Sequence, residues 1–200
     1  MTSACSADDD RRSEVVGSGS VAADSRAAGV RQTDADGHVL PFVTTHAHRW
    51  SGANDGTTYE PCTAVTATDL LAVGMEPRSV RDAAGTDGQT LRGCVWTSAV
   101  ERGRVEWDLS QFVGNSPGLA ADKQRQASSL DMWLPDILID GRVVGVHRFT
   151  NGANCDTYVQ SGMAAVNTMV IHHGSPHPAP EEICAKAIEF TRATIGKMPR

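Results

Sequence analysis

The positions of the cysteines constrain the fold of this 200-residue chain more than any other feature of its sequence. Cys62, Cys94, Cys155 and Cys184 lie where the composition is that of a globular domain, whereas Cys5 stands alone near the start. No two of them have the Cys-x-x-Cys spacing. Cysteines spaced this widely indicate disulfides, which persist in oxidising compartments outside the cytoplasm. We therefore expect two disulfides in an extracytoplasmic domain.

Four cysteines allow three pairings, and we favour Cys62–Cys94 and Cys155–Cys184. Each of these bonds would join a strand end to the edge of a flanking helix within its own half of the chain. The paired residues are 32 and 29 positions apart, and closing loops of this size stabilises a fold by about 3.6 kcal/mol per bond in the chain-entropy model. The competing interpretation is a zinc site built from all four thiolates, but structural zinc sites usually use closely spaced pairs.

The composition divides the chain near residue 40. Residues 1–39 contain no Leu, Ile, Phe, Tyr or Trp, and their seven acidic side chains outnumber four arginines. Such a segment cannot bury enough apolar surface to offset the entropy lost on ordering. We expect residues 1–39 to form a disordered tether and residues 40–200 to form one folded domain.

The overall charge excludes one class of partner. The chain has a net charge of −6, whereas a nucleic-acid-binding domain needs a basic face to neutralise phosphates. No apolar run reaches the length of a transmembrane helix. We therefore expect no nucleic-acid partner, and no contact with a membrane except through a lipid anchor.

Local signals predict the order of the secondary structure. Thr66 and Asp69 form a capping box at the start of a helix that Gly74 can end. Asp140-Gly141 stands between two apolar runs, which is the strongest short-range signal for a hairpin. Pro180 suits the first turn of the last helix. The predicted order is helix, hairpin, helix, hairpin, hairpin, helix, so we expect an α+β fold with an antiparallel sheet flanked by helices.

Several stretches resemble a family of exported lipoproteins from mycobacteria, nocardiae and rhodococci that is catalogued only as a domain of unknown function. The resemblance covers roughly residues 40–200. It is carried by Leu40-Pro41-Phe42, Arg49-Trp50, Asn54-Asp55-Gly56-Thr57, Tyr59-Glu60-Pro61-Cys62-Thr63, Gly93-Cys94-Val95-Trp96, Cys155-Asp156 and Ile183-Cys184. It implies an actinobacterial lipoprotein held to the outer face of the cell membrane by a lipidated cysteine. The family carries no agreed catalytic residues, so the resemblance implies none here.

Cys5 is the candidate for that lipid. The small residues Ser3 and Ala4 precede it as in a lipobox, although Thr2 stands where leucine is usual. The alternative is an unpaired thiol in a polar tail. No hydrophobic stretch precedes Cys5, so we expect the natural start codon and signal peptide to lie further upstream.

A cluster of histidines could support metal chemistry. His172, His173 and His177 have a spacing that could hold a transition metal, but we favour a polar surface loop and expect no cofactor. No nucleophile and base can be paired from the sequence. We therefore expect a non-enzymatic envelope protein that binds a lipid, a small molecule or a protein partner. The alternative is a cell-envelope hydrolase whose active site the sequence does not reveal.

Overall fold

The computed structural model describes residues 29–101, 103–116, 119–127 and 132–200. Cys5 and most of the predicted tether therefore lie outside the described residues. The helices of the described part are α1 (Pro61–Ala64), α2 (Ala67–Ala72), α3 (Leu119–Gln126) and α4 (Pro180–Thr194), with 3₁₀ turns at Pro77–Ser79 and Ile195–Lys197. None of these helices has the length and apolar content needed to span a bilayer.

The strands form one large antiparallel sheet and one small hairpin. In chain order they are β1 (Arg81–Asp82), β2 (Arg92–Thr97), β3 (Val100–Glu101), β4 (Arg104–Val105), β5 (Trp107–Gly114), β6 (Met132–Trp133), β7 (Ile137–Ile139), β8 (Arg142–Arg148), β9 (Asn154–Ser161) and β10 (Ala164–His172). The large sheet has the order β1-β2-β5-β10-β9-β8-β6, with β7 also paired to β8, while β3 and β4 pair separately. This architecture confirms the predicted α+β class.

The local signals in the sequence produce the expected elements. The Thr66 hydroxyl accepts a hydrogen bond from the Asp69 amide, and the Asp69 carboxylate accepts one from the Thr66 amide, which completes the capping box of α2. Asp140 and Gly141 both have positive φ, at 49° and 71°, as a type I′ turn requires. That turn joins β7 to β8, so the predicted hairpin is confirmed.

One side of the sheet, which we call the helix face, packs against α4. Alternate residues of β10, such as Val166 and Val170, point to this side and are almost completely buried. The rings of Trp96 on β2 and Phe190 on α4 lie 6.1 Å apart in the same core. Burying apolar side chains between a sheet and a helix is the main stabilising contribution to a fold of this kind.

Both disulfides belong to the helix face. Cys62–Cys94 joins α1 to β2, and Cys155–Cys184 joins β9 to α4. These are the pairs favoured from the sequence, and each links a helix to a strand as expected. They fasten β2 and β9 of the sheet to α1 and α4.

A buried group of charges lies beside the first disulfide. Arg49 and Arg92 are 1% and 0% exposed, and their Nη1 atoms donate to the same Glu60 carboxylate at 2.7 and 3.2 Å. The Arg49 guanidinium also reaches Cys62 Sγ at 3.1 Å. Burial lowers the pKa of Arg92 to about 10; the Glu60 carboxylate opposes this shift, and the Arg49 cation adds to it.

Residues 29–39 differ from the sequence prediction, because they pack on the domain instead of forming part of a tether. The side-chain amide of Gln32 donates to the Thr44 carbonyl at 2.9 Å and accepts from the Thr44 backbone N–H at 3.0 Å. The Thr63 hydroxyl donates to the buried Asp34 carboxylate at 2.6 Å. Hydrogen bonds hold residues 29–39 against the domain, and a prediction based on apolar content could not detect them.

Candidate functional site

The side of the sheet opposite α4, the groove face, carries an open cavity of about 400 Å³ beneath α3. Pockets that hold small ligands typically measure about 300 to 1,000 Å³. The groove is lined by residues of β5, β9, β10 and α3 and by neighbouring loop residues, namely Leu91, Phe112, Gly114, Ser116, Asp122, Arg125, Gln126, Asp156, Tyr158, Ala165, Asn167 and Met169.

The alternation of the strands builds the groove floor. Successive side chains of a strand point to opposite faces, so Ala165, Asn167 and Met169 face the groove while their neighbours on β10 face α4. Phe112 on β5 stands opposite Asn167 in the register of the two strands. The small side chain of Ala165 leaves room for a cavity between these larger residues and α3.

Close packing at one position lets α3 lie over the sheet. A Cβ atom at Gly145 on β8 would come within 2.4 Å of Leu119 on α3 and 3.0 Å of Trp133. The Trp133 ring lies 5.1 Å from the ring of Tyr158, which lines the groove. The glycine therefore allows Leu119 and Trp133 to approach the β8 backbone closely, next to the groove.

Polar groups converge on the carboxylate of Asp156, which is 4% exposed. The Tyr158 hydroxyl donates to Asp156 Oδ2 at 3.1 Å, and the Asn167 amide donates to the same oxygen at 3.4 Å. Gln126 Nε2 donates to the Tyr158 oxygen at 2.9 Å. Burial and the nearby Asp156 charge raise the pKa of Tyr158, so this hydroxyl keeps its proton at neutral pH.

A second carboxylate borders the groove on α3. Asp122 is also 4% exposed, and its Oδ1 atom accepts hydrogen bonds from Ser116 at 2.9 Å and from the Arg125 guanidinium. The same guanidinium donates to the Ser116 oxygen. Among the described residues, Asp122 Oδ2 and Gln126 Oε1 are buried without a hydrogen-bond donor.

The three candidate metal ligands do not come together. His172 and His177 face each other with their Nδ1 atoms 3.2 Å apart, whereas His173 turns to Asp108, with 3.1 Å between Nε2 and Oδ2. The two facing rings have centroids 5.5 Å apart, as expected when one ring donates an N–H to the other. Burial and the neighbouring His177 lower the pKa of His172.

A further cluster joins Asp34, Asp36 and His38 near the start of the described chain. The Asp34 carboxylate accepts hydrogen bonds from the amides of Asp36 and His38, from the His38 ring and from Thr63. Burial opposes the shift, but these hydrogen bonds lower the pKa of Asp34 to about 2. The cluster serves to fold residues 34–38 into a turn.

The family described as "Protein of unknown function (DUF3558)" matches residues 1–197 of the chain. The chain belongs to this family. The expected membership in a family of unknown function is thus confirmed. No curated protein and no solved structure matches this DUF3558 chain. The match spans every strand and helix given above, so the groove lies within the DUF3558 domain itself.

The sequence did not reveal the groove of this DUF3558 protein. Its lining residues come from positions between 91 and 169, and no short motif joins them. The alternation of Ala165, Asn167 and Met169 with the β-branched residues Val166, Thr168 and Val170 was the available signal. That pattern defines two faces of a strand, but it does not tell which face α4 will cover.

Proposed function

We propose that this DUF3558 protein is a non-enzymatic binding protein of the cell envelope, and that its groove holds a small, largely apolar molecule. The observation that carries the proposal is the combination of an apolar floor with a few convergent polar groups. Leu91, Phe112 and Met169 would contact the body of the ligand, and Asp122 and Asp156 would fix its polar end. Sites for small molecules commonly have this composition.

The proposed location rests on the disulfides and on Cys5. Two disulfides accord with a domain that works outside the cytoplasm. Cys5 falls within the family match, and a diacylglycerol on its sulfur would supply two chains, enough for stable anchoring. We propose that the lipid holds the domain at the outer face of the membrane, where the groove can take up its ligand.

The polar contacts favour binding over hydrolysis. Ser116 is the serine of the groove and lies beside the buried Asp122, but the Arg125 guanidinium donates to both of them. Serine nucleophiles are activated by an adjacent general base, and among the described residues no histidine nitrogen is hydrogen-bonded to Ser116. A cell-envelope hydrolase remains the alternative, and it would need a base other than this pair.

A dye that fluoresces in apolar surroundings tests the binding site. Wild-type protein should bind the uncharged dye N-phenylnaphthylamine saturably, with one dye per chain. Ala165→Trp should reduce the affinity at least tenfold, because the indole would fill the cavity from β10. Leu91→Trp should give a smaller loss, because Leu91 is 38% exposed and a larger side chain there can turn toward solvent.

Leu138→Trp is the matched control, because Leu138 is 73% exposed on β7 and does not line the groove. This variant should bind the dye as the wild type does. Near-ultraviolet circular dichroism would establish that each variant is folded. Equal dye affinity in the wild type and in a folded Ala165→Trp protein would refute the proposed site.

A further inference from the structure

We propose that His172 and His177 form a binding site for a divalent transition-metal ion, with Cu²⁺ bound more tightly than Zn²⁺. The site is separate from the groove, because the alternation of β10 places His172 on the helix face together with Val170. The proposal therefore does not depend on what the groove binds. It follows from the distance between two ring nitrogens, from the packing of one ring and from the charges around the pair.

The two rings present the same nitrogen to each other. Nδ1 of His172 lies 3.2 Å from Nδ1 of His177. Two nitrogens that each bind one ion at about 2.0 to 2.1 Å are about 3.4 Å apart at a tetrahedral angle and about 2.9 Å apart at a right angle. The observed separation falls between these values, so both nitrogens can bind one ion after a small rotation of the rings.

A metal ion can take the place of the proton that the two rings share. In the metal-free protein one Nδ1 atom donates its N–H to the other, because two facing lone pairs would repel. Neither Nε2 atom has a hydrogen-bond partner in the described part of the chain. The donor ring can therefore carry its proton on Nε2 instead, which leaves both Nδ1 lone pairs for the ion.

Packing fixes the position of one ligand. His172 is 6% exposed, and its ring lies edge-on to the Trp107 ring with 4.4 Å between the centroids. A Cβ atom at Gly174 would lie 2.7 Å from the His172 ring, so the glycine lets the chain turn closely over it. A side chain that is already ordered loses little conformational entropy when it binds an ion.

The charges near the pair favour a cation. Burial and the neighbouring His177 lower the pKa of His172, so the ring is neutral at pH 7, as a metal ligand must be. The Glu106 carboxylate acts on the same ring in the opposite direction, and its negative charge would also attract a metal ion. His173, the next residue, is engaged by Asp108.

The ligand atoms indicate the class of ion. Imidazole nitrogens suit copper, nickel and zinc, whereas Ca²⁺ and Mg²⁺ take oxygen ligands. Nitrogen sites generally bind Cu²⁺ more tightly than Zn²⁺. His177 is exposed, so water can fill the remaining positions around the ion.

Calorimetry with Cu²⁺, supplied as its glycine complex at pH 7.5, tests the site. His177→Gln should reduce the affinity for Cu²⁺ at least tenfold relative to wild type, and near-ultraviolet circular dichroism would establish that the variant is folded. His173→Gln is the matched control, because His173 is adjacent to the pair but turned to Asp108. Its affinity should stay within twofold of wild type, and Zn²⁺ should bind wild-type protein at least tenfold more weakly.

Electron spin-echo envelope modulation counts the imidazoles on bound Cu²⁺ through their remote nitrogens. It should detect two rings in the wild type and in His173→Gln, and at most one in His177→Gln. No binding of Cu²⁺ by wild type, or the same affinity and two rings in a folded His177→Gln protein, would overturn the proposal. Tighter binding of Zn²⁺ than of Cu²⁺ would overturn the stated preference.

Discussion

Arg49 and Arg92 would be costly to bury singly, yet together they share one carboxylate beside the Cys62–Cys94 bond. Each guanidinium loses hydration on folding, and its attraction to Glu60 offsets that loss. The Trp50 ring also lies 3.7 Å from the Arg92 guanidinium carbon, a distance typical of cation–π contacts. The stability of the region around the Cys62–Cys94 bond therefore depends on a few polar contacts as well as on apolar burial.

Glu60→Ala should be strongly destabilising, by about 3 to 5 kcal/mol, because it leaves two buried cations without their shared partner. Urea unfolding followed by circular dichroism would measure the change in the free energy of unfolding. Glu76→Ala is the control, since Glu76 only caps an exposed 3₁₀ turn. A loss below about 1 kcal/mol for Glu60→Ala would mean that the charges are solvated and not buried.

Asp34→Asn should reveal a pH-dependent contribution to stability. The folded-state pKa is about 2 and the ordinary value is 3.8, so the ionised carboxylate stabilises the fold above about pH 4. That contribution is lost as the pH falls toward 2. At pH 7 the variant should be less stable by about 1 to 2 kcal/mol, and the difference should shrink between pH 4 and pH 2.

Thermal unfolding at pH 7, 4, 3 and 2.5 would follow this change. Asp36→Asn serves as the control, because its carboxylate is exposed and the variant keeps the backbone amide that bonds to Asp34. A gap between wild type and Asp34→Asn that stays constant across this range would show that the carboxylate charge is not what stabilises the turn.

At the scale of elements, the predictions from the sequence agreed best with the structure where they relied on residues close together in the chain. The α2 capping box, the turn between β7 and β8, and the first-turn proline of α4 each depend on residues a few positions apart. Such signals act through the same physics in a peptide as in a protein. The groove depends on strands and a helix that are far apart in sequence, so its position could not be read from any segment.

Gly141→Ala should destabilise the β7–β8 hairpin, because Gly141 has a φ of 71° and a Cβ disfavours that conformation by about 1 to 2 kcal/mol. Urea unfolding should show a loss of this size. Gly52→Ala is the matched control, since a Cβ there would meet no atom within 4 Å. Equal stability of the two variants would argue against the type I′ turn.

At the scale of the whole molecule, the structure confirms the predicted fold class, but residues 29–39, which were predicted as part of the tether, pack on the domain. Apolar content predicted a core within residues 40–200, and the two apolar clusters of the described residues lie in that range. It missed residues 29–39, which are joined to the domain by side-chain hydrogen bonds such as Thr63 to Asp34. Composition indicates how much apolar area a segment can bury, but it does not indicate side-chain hydrogen bonds of this kind.

The proposed anchor makes a prediction about the full chain. In a bacterial host that processes lipoproteins, the protein expressed from its natural gene should be labelled by an alkyne-tagged fatty acid and recovered with membranes. Cys5→Ala should abolish both results, because the thioether to the lipid forms on that sulfur. Ser6→Ala, the neighbouring control, should keep both, and labelling that survives Cys5→Ala would exclude this position.

The central claim is that the groove beneath α3 binds a small molecule, and native mass spectrometry of the protein purified without reductant or detergent tests it most directly. The wild type should carry one small molecule per chain that is released on collisional activation. Ala165→Trp protein, which has the groove filled, should carry none. The same adduct on both proteins, or a bare wild-type mass together with no binding of N-phenylnaphthylamine, would contradict the claim.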